Sequence, residues 1–313
     1  MGGSGATITS RAQHLLSMIK NILCPIDRSR SSLEAFSYAI ALARWQGARL
    51  SLLEVMESAE PPGGRRIPGN DAVPEDARAA LERDLRRVLT ARRASDVKAK
   101  IFMRKGNVVP EILAQAKESR ADLLVIGRHG RGGVQRLVLG SVAEKVLRLA
   151  TCPVLTVRRG VTVARRSRSL FGTILCATDF SVAGNTAVAY ARRLTKEANA
   201  KLVLMHAVDW PFGDAVTLGA VADLRQNLEV SARDELVRLL PHSNPDGPGA
   251  QAVVTVGKAS TAILKLARAR SVDLIVMGVS GRGATDVALL GSTTHQVIRD
   301  GTWPVLTVRA LTR

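Results

Sequence analysis

Cysteine, histidine and aromatic residues are sparse in this chain, and each scarcity closes off a class of chemistry. Its 313 residues include three cysteines, Cys24, Cys152 and Cys176, too few for a disulfide framework. Cys24 and Cys176 fall at matching places in NILCPID and TILCATD, where a thiol packs as a small hydrophobe. The five histidines are scattered without ligand spacing, which argues against a structural zinc site. Aromatics make up 3% and do not interleave with basic residues as base-stacking surfaces do, so specific nucleic-acid recognition is not expected. Long apolar runs are missing too. No stretch reaches the roughly 18 residues of a membrane span, so no membrane association is expected. The opening MGGSGATITSRAQHLLSMIK lacks the apolar core of a secretion signal and reads as a lead-in, which makes the cytoplasm the expected compartment.

Positive charge, in contrast, is abundant, with a net charge of +18. Residues 1–168 carry 30 Lys and Arg against 15 Asp and Glu, and RRGVTVARRSR, residues 158–168, holds five of those arginines. Such a surface attracts anions of any kind, nucleotides among them.

The chain also repeats itself. NILCPIDRSRSSLEAFSYAIALARWQGARLSLLEVME aligns with TILCATDFSVAGNTAVAYARRLTKEANAKLVLMHAVD, KGNVVPEILAQAKESRADLLVIG with VGKASTAILKLARARSVDLIVMG, and TCPVLTVRR with TWPVLTVRA. A repeat this long means two copies of a domain. Within each copy, short apolar runs alternate with stretches of helical period. That pattern specifies an α/β fold, a parallel sheet covered on both faces by helices. We expect two tandem five-stranded domains, residues 20–159 and 170–309, joined by an Arg-rich linker at 160–169. The segments 57–96 and 209–249 share least and read as variable, loop-bearing stretches.

A glycine pattern occupies the same place in both copies. GRHGRGGVQRLVLGS, residues 127–141, follows the run LLVI, and GVSGRGATDVALLGS, residues 278–292, follows LIVM. In an open parallel sheet the ligand site lies beyond the carboxyl ends of the strands, where these glycines begin. Gly127, Gly130 and Gly140, and their counterparts Gly278, Gly281 and Gly291, would let backbone N–H groups cradle a phosphate. Ser141 and Ser292 open the following helices, whose free N–H groups would add to that cradle. The alternative is that the glycines only make tight turns. Arg128, Arg131 and Arg282 flank the nest, where they either supplement its donors or face water. His129 has Ser280 as its counterpart and carries no evident role. The loop is not a Walker motif, and no GxGxxG opens either half, which disfavours P-loop and dinucleotide enzymes.

Asp27 and Asp179 end the first strand of each copy. Either could accept from ribose hydroxyls or hold a phosphate-bound divalent ion, and either could instead cap the helix that follows.

These residues resemble the universal stress protein family, whose signature of Gly, two residues, Gly, nine residues and Gly-Ser is met by both loops. The resemblance covers nearly the whole chain. It implies a Rossmann-like sheet in the order 3-2-1-4-5 and bound ATP, Asp27 and Asp179 lying near the ribose and adenine; Mg²⁺ or Mn²⁺ is the divalent ion expected at those two carboxylates. It implies nucleotide contacts at Pro25, Ile26, Val55, Gly127, Arg128, Gly130, Arg131, Gly140, Ser141 and Val142. In the second copy it implies them at Ala177, Thr178, Val208, Gly278, Gly281, Arg282, Gly291, Ser292 and Thr293. It further implies that the last strands pair as an intramolecular pseudo-dimer, with room for further homodimerisation and for a protein partner. The first copy departs from the family pattern at Ile26, where the second keeps Thr178. Neither copy shows a base placed for fast phosphoryl transfer, so the expected role is ATP binding or sensing in a stress response, with slow hydrolysis or autophosphorylation at most. A structural adaptor that has given up the nucleotide, or a nucleic-acid-associated protein using the basic surface, are the competing readings.

Overall fold

A computed structural model describes residues 19–57, 75–91, 94, 96–130, 139–158, 160, 170–210, 220–240, 249–281 and 289–310. The chain divides into two compact units, the first holding residues 18–163 and the second residues 164–313.

The first unit runs β1 (Asn21–Ile26), α1 (Arg30–Gln46), β2 (Arg49–Glu57), α2 (Glu75–Ala91), β3 (Ala99–Gly106), α3 (Val108–Glu118), β4 (Leu123–Gly127), α4 (Ser141–Leu149) and β5 (Val154–Val157). The second runs β6 (Thr173–Ala177), α5 (Val182–Ala198), β7 (Lys201–Val208), α6 (Ala220–Leu239), β8 (Ala250–Val256), α7 (Ala259–Ala269), β9 (Leu274–Gly278), α8 (Ser292–Asp300) and β10 (Val305–Val308). All pairings within each unit are parallel. They give the order β3-β2-β1-β4-β5 in the first unit and β8-β7-β6-β9-β10 in the second.

The central strands are buried because helices lie on both faces of the sheet, which is why β1, β4, β6 and β9 are written as almost unbroken apolar runs. An aspartate fixes the start of each first strand. Asp122, just before β4, accepts from the backbone N–H groups of Lys20 and Asn21, both at 2.9 Å. Asp273 does the same for Gly172 at 2.7 Å and Thr173 at 2.9 Å. The helices α1 and α5 begin at Ser29 and Ser181, whose side chains accept from the N–H groups of Ser32 and Gly184. They end at Gly47 and Asn199, both left-handed, with φ of 64° and 47°.

One difference between the units matters for the site. The ladder of β6 and β9 runs from Ile174 to Ala177, whereas that of β1 and β4 includes only Ile22 and Leu23. Pro25 has no N–H to donate, so the two strands part early on the way to the cleft.

Candidate functional sites at the carboxyl ends of the two sheets

Just past each first strand comes an aspartate followed by a left-handed residue, Arg28 with φ 61° and Phe180 with φ 62°. The turn is held by the aspartate itself. Oδ1 of Asp27 accepts from Ser29 N at 2.9 Å, and Oδ1 of Asp179 accepts from Ser181 N at 3.1 Å. Helix capping therefore belongs to Ser29 and Ser181, not to the aspartates, because these carboxylates accept from the N–H groups of the cap residues themselves, ahead of the first helical N–H groups. The second oxygen of each carboxylate faces the glycine loop. A Cβ at residue 130 would stand 3.0 Å from Asp27 Oδ2, and one at residue 281 would stand 2.6 Å from Asp179 Oδ2.

The other signature glycines are also explained by space. None of the six has a positive φ, so freedom of backbone dihedral is not what they supply. A Cβ at residue 127 would lie 2.8 Å from the backbone of Ser31, and one at residue 278 would lie 2.9 Å from the backbone of Ala183. The start of each helix presses on the end of the fourth strand there, and only glycine leaves room. Gly140 and Gly291 are the N-caps of α4 and α8, and neither helix receives a side-chain cap bond. Gly140 N and Gly291 N instead donate at 2.8 Å to the carbonyls of Arg128 and Val279, which folds the loop's end back onto its beginning. The first-turn N–H groups of both helices are thus presented at the cleft with no cap side chain competing for them among the described residues.

In the first unit these parts surround a cavity of about 900 Å³. Pro25, Ile26, Asp27, Val55, Gly127, Arg128, Gly130, Gly140, Ser141 and Val142 all line it, together with Arg28, Glu54, Met103, Val108 and Ile112. In the second unit the cavity is about 410 Å³, and Ala177, Thr178, Asp179, Gly278, Gly281, Gly291, Ser292 and Thr293 line it, with Met205, His206, Ala259 and Ile263. The apolar wall of each cavity, from the second strand and the helix after the third, suits a planar base. The glycine loop and helix terminus opposite suit phosphate.

Val208 is not among the lining residues, and Ala207 takes the place expected for it. Ala207 lies as far along the chain from Asp179 as Val55 does from Asp27, so the repeat itself carried the signal. The Val208 carbonyl accepts instead from Gly257 N at 2.9 Å. Arg131 and Arg282 lie outside the described residues. Arg128 lines the cavity, yet its side chain is only 1% exposed, so it does not face water.

The loss of the Thr hydroxyl at Ile26 is met by a local exchange. In the second unit Thr178 Oγ1 accepts from Phe180 N at 3.0 Å, and Gly184 makes room, since a Cβ there would stand 2.8 Å from that hydroxyl. In the first unit the counterpart of Gly184 is Ser32, and its Oγ accepts from Asp27 N at 3.3 Å. A hydroxyl just past the strand is replaced by one on the helix, which takes the N–H of the aspartate instead of that of the residue after it.

Sequence reasoning missed one feature of the walls. Arg28 Nε and Nη2 donate to Glu54 Oε2 at 3.2 and 2.9 Å. At the equivalent positions Phe180 stacks on His206 with ring centroids 4.4 Å apart, and His206 Nδ1 lies 2.9 Å from the Thr178 carbonyl. The aligned halves place these pairs opposite one another, but nothing in one half alone marks them.

The thiols take no part. Cys24 and Cys176 are fully buried, and burial pushes both well above the usual thiol range. Among the described residues no group of three or more His, Cys, Asp and Glu gathers to hold a metal, and no helix is long and apolar enough to cross a membrane.

Residues 18–158 and 170–309 each match the model of the universal stress protein family. The chain is 34% identical over 143 residues to a universal stress protein of Methanocaldococcus jannaschii, an alignment covering 45% of this chain and 84% of that one. A universal stress protein of Mycolicibacterium smegmatis aligns over 293 residues at 28% identity, covering 92% of this chain and 96% of its own. Among solved structures, a universal stress protein from Archaeoglobus fulgidus matches with a TM-score of 0.68 and 24% identity over 94% of this chain and 100% of that one, a likeness of fold.

Proposed function

We propose that this chain, which belongs to the universal stress protein family, binds a nucleotide in each of its two clefts, ATP above all, and acts as a sensor of it in a stress response. The observation that carries this reading is the pairing, in both units, of an uncapped helix N-terminus with a carboxylate lodged against the glycine loop. The first supplies N–H donors and the positive end of a helix to a phosphate. The second supplies acceptors to ribose hydroxyls, or to a phosphate-bound Mg²⁺ or Mn²⁺. With one strand-end carboxylate facing the glycine loop in each cleft, most of the ion's ligands would come from phosphate and water, the usual arrangement for Mg²⁺.

Binding, not turnover, fits the residues at hand. Phosphoryl transfer needs a positioned base and strong charge neutralisation at the transferred group. Asp27 and Asp179 are already committed to their turns, so any hydrolysis would be slow. Free cysteines fit a reducing compartment, and we place the protein in the cytoplasm.

Calorimetric titration of the folded chain with ATP and Mg²⁺ tests this reading. Saturable binding is expected. A folded chain that binds no nucleotide would overturn it and leave the adaptor reading in its place.

A further inference from the structure

We infer that the first cleft reads a second phosphate, carried on the ribose of its nucleotide, through Arg28, and that the second cleft does not. The inference rests on the nucleotide reading above.

Strand order sets the direction of the ligand. The glycine loop follows β4, Asp27 and Arg28 follow β1, and Glu54 lies on β2, in adjacent positions along the sheet. A nucleotide with its 5′-phosphates on the α4 terminus therefore crosses β1 with its ribose and reaches β2 with its base. Arg28 follows Asp27 by one residue at that crossing, and its guanidinium reaches from there toward Glu54 on β2.

Its guanidinium is held in a way that leaves one edge to spare. Glu54, whose side chain is 7% exposed, takes Nε and Nη2 and fixes the plane of the group. Among the described residues Nη1 faces only Asp84 of α2, at 3.6 Å, beyond hydrogen-bond distance. The side chains of that outer pair are 43% and 50% exposed, and ion pairs so exposed are weak. A phosphate group would displace Asp84 and gain charge-assisted bonds from a guanidinium already oriented by Glu54. Arg28 and Glu54 both line the first cavity, whereas Phe180 does not line the second. At the equivalent position the second cleft has Phe180, stacked on His206 and unable to pair with an anion.

The test compares AMP with adenosine 2′,5′-bisphosphate and adenosine 3′,5′-bisphosphate by calorimetry on the full chain. AMP is expected to bind both clefts. One of the two bisphosphates is expected to bind one site per chain about tenfold more tightly than AMP, and the isomer that does so locates the ribose hydroxyl. That gain is expected to vanish in the double variant Arg28→Phe, Glu54→His, which installs the second cleft's own pair and leaves no unpaired buried carboxylate. It is expected to increase in Asp84→Asn and to persist in Gly291→Glu. Equal affinity of all three ligands, or a gain that survives the double variant, overturns this inference and leaves the nucleotide reading standing. Absence of binding by all three ligands to the folded chain overturns both.

Discussion

Oδ2 of Asp179 lies 2.6 Å from the point where a Cβ on Gly281 would stand, so the carboxylate occupies space that only glycine leaves open. The same relation holds between Asp27 and Gly130 at 3.0 Å. The second signature glycine is thereby tied to the aspartate of the first strand, and each cleft depends on both.

Replacing Gly281 with Ala is expected to push the Asp179 carboxylate off its turn and weaken nucleotide binding at the second cleft by about tenfold, near 1.4 kcal/mol. Gly130→Ala, with more room, is expected to do less at the first. Site-resolved calorimetry on the two variants measures this, and unchanged affinity in Gly281→Ala would separate the glycine from the site.

The first signature glycine serves packing. Gly127→Ala and Gly278→Ala would each bring a methyl within 2.7 to 2.9 Å of the first residues of α1 and α5 respectively. Each is expected to lower stability by about 1–3 kcal/mol through overpacking. Urea unfolding reports the loss, and a neutral result would show that the helix start can retreat.

Thr294, buried, donates from Oγ1 to the Gly278 carbonyl at 2.9 Å, a bond the first unit lacks because Ala143 stands at that position. Thr294→Val is expected to cost about 1 kcal/mol, in the second unit alone. Domain-resolved hydrogen exchange distinguishes that from a change spread over both units.

The buried thiols predict a pH effect. Burial raises Cys24 and Cys176, so the fold retains the neutral thiol at pH values where the unfolded chain, with a thiol pKa of about 8.5, has released its proton. Their contribution to stability is complete below that value and is lost as pH rises from there toward the raised one. The stability difference between the wild type and Cys176→Ala is expected to change in the wild type's disfavour between pH 8 and pH 10. A pH-independent difference would contradict the assignment. Neither thiol is expected to react with an alkylating reagent at pH 8 until the chain unfolds.

Much of this arrangement was legible in the sequence. Buried parallel strands carry continuous apolar runs, so LLVIG and LIVMG announced β4 and β9, and the glycines after them marked the ligand edge. What the glycines do was less legible, because a need for space and a need for unusual dihedrals leave the same letter. The competing roles of Asp27 and Asp179 could not be separated by spacing either. Asp and Ser both start helices, and only the observed turn assigns the cap to Ser29 and Ser181. The Arg28–Glu54 pair joins residues on different strands, a relation that follows from sheet register and not from local pattern. Val208 shows the opposite case, since the repeat already pointed to Ala207.

The central claim is that both clefts hold nucleotide, and calorimetry with ATP and Mg²⁺ on the intact chain, Gly140→Glu and Gly291→Glu tests it most directly. Each glutamate places bulk and negative charge at a helix N-terminus meant for phosphate. A stoichiometry near two for the intact chain, falling to near one in each variant, is the predicted result. A folded intact chain that binds no ATP, or variants that bind as the intact chain does, would contradict it.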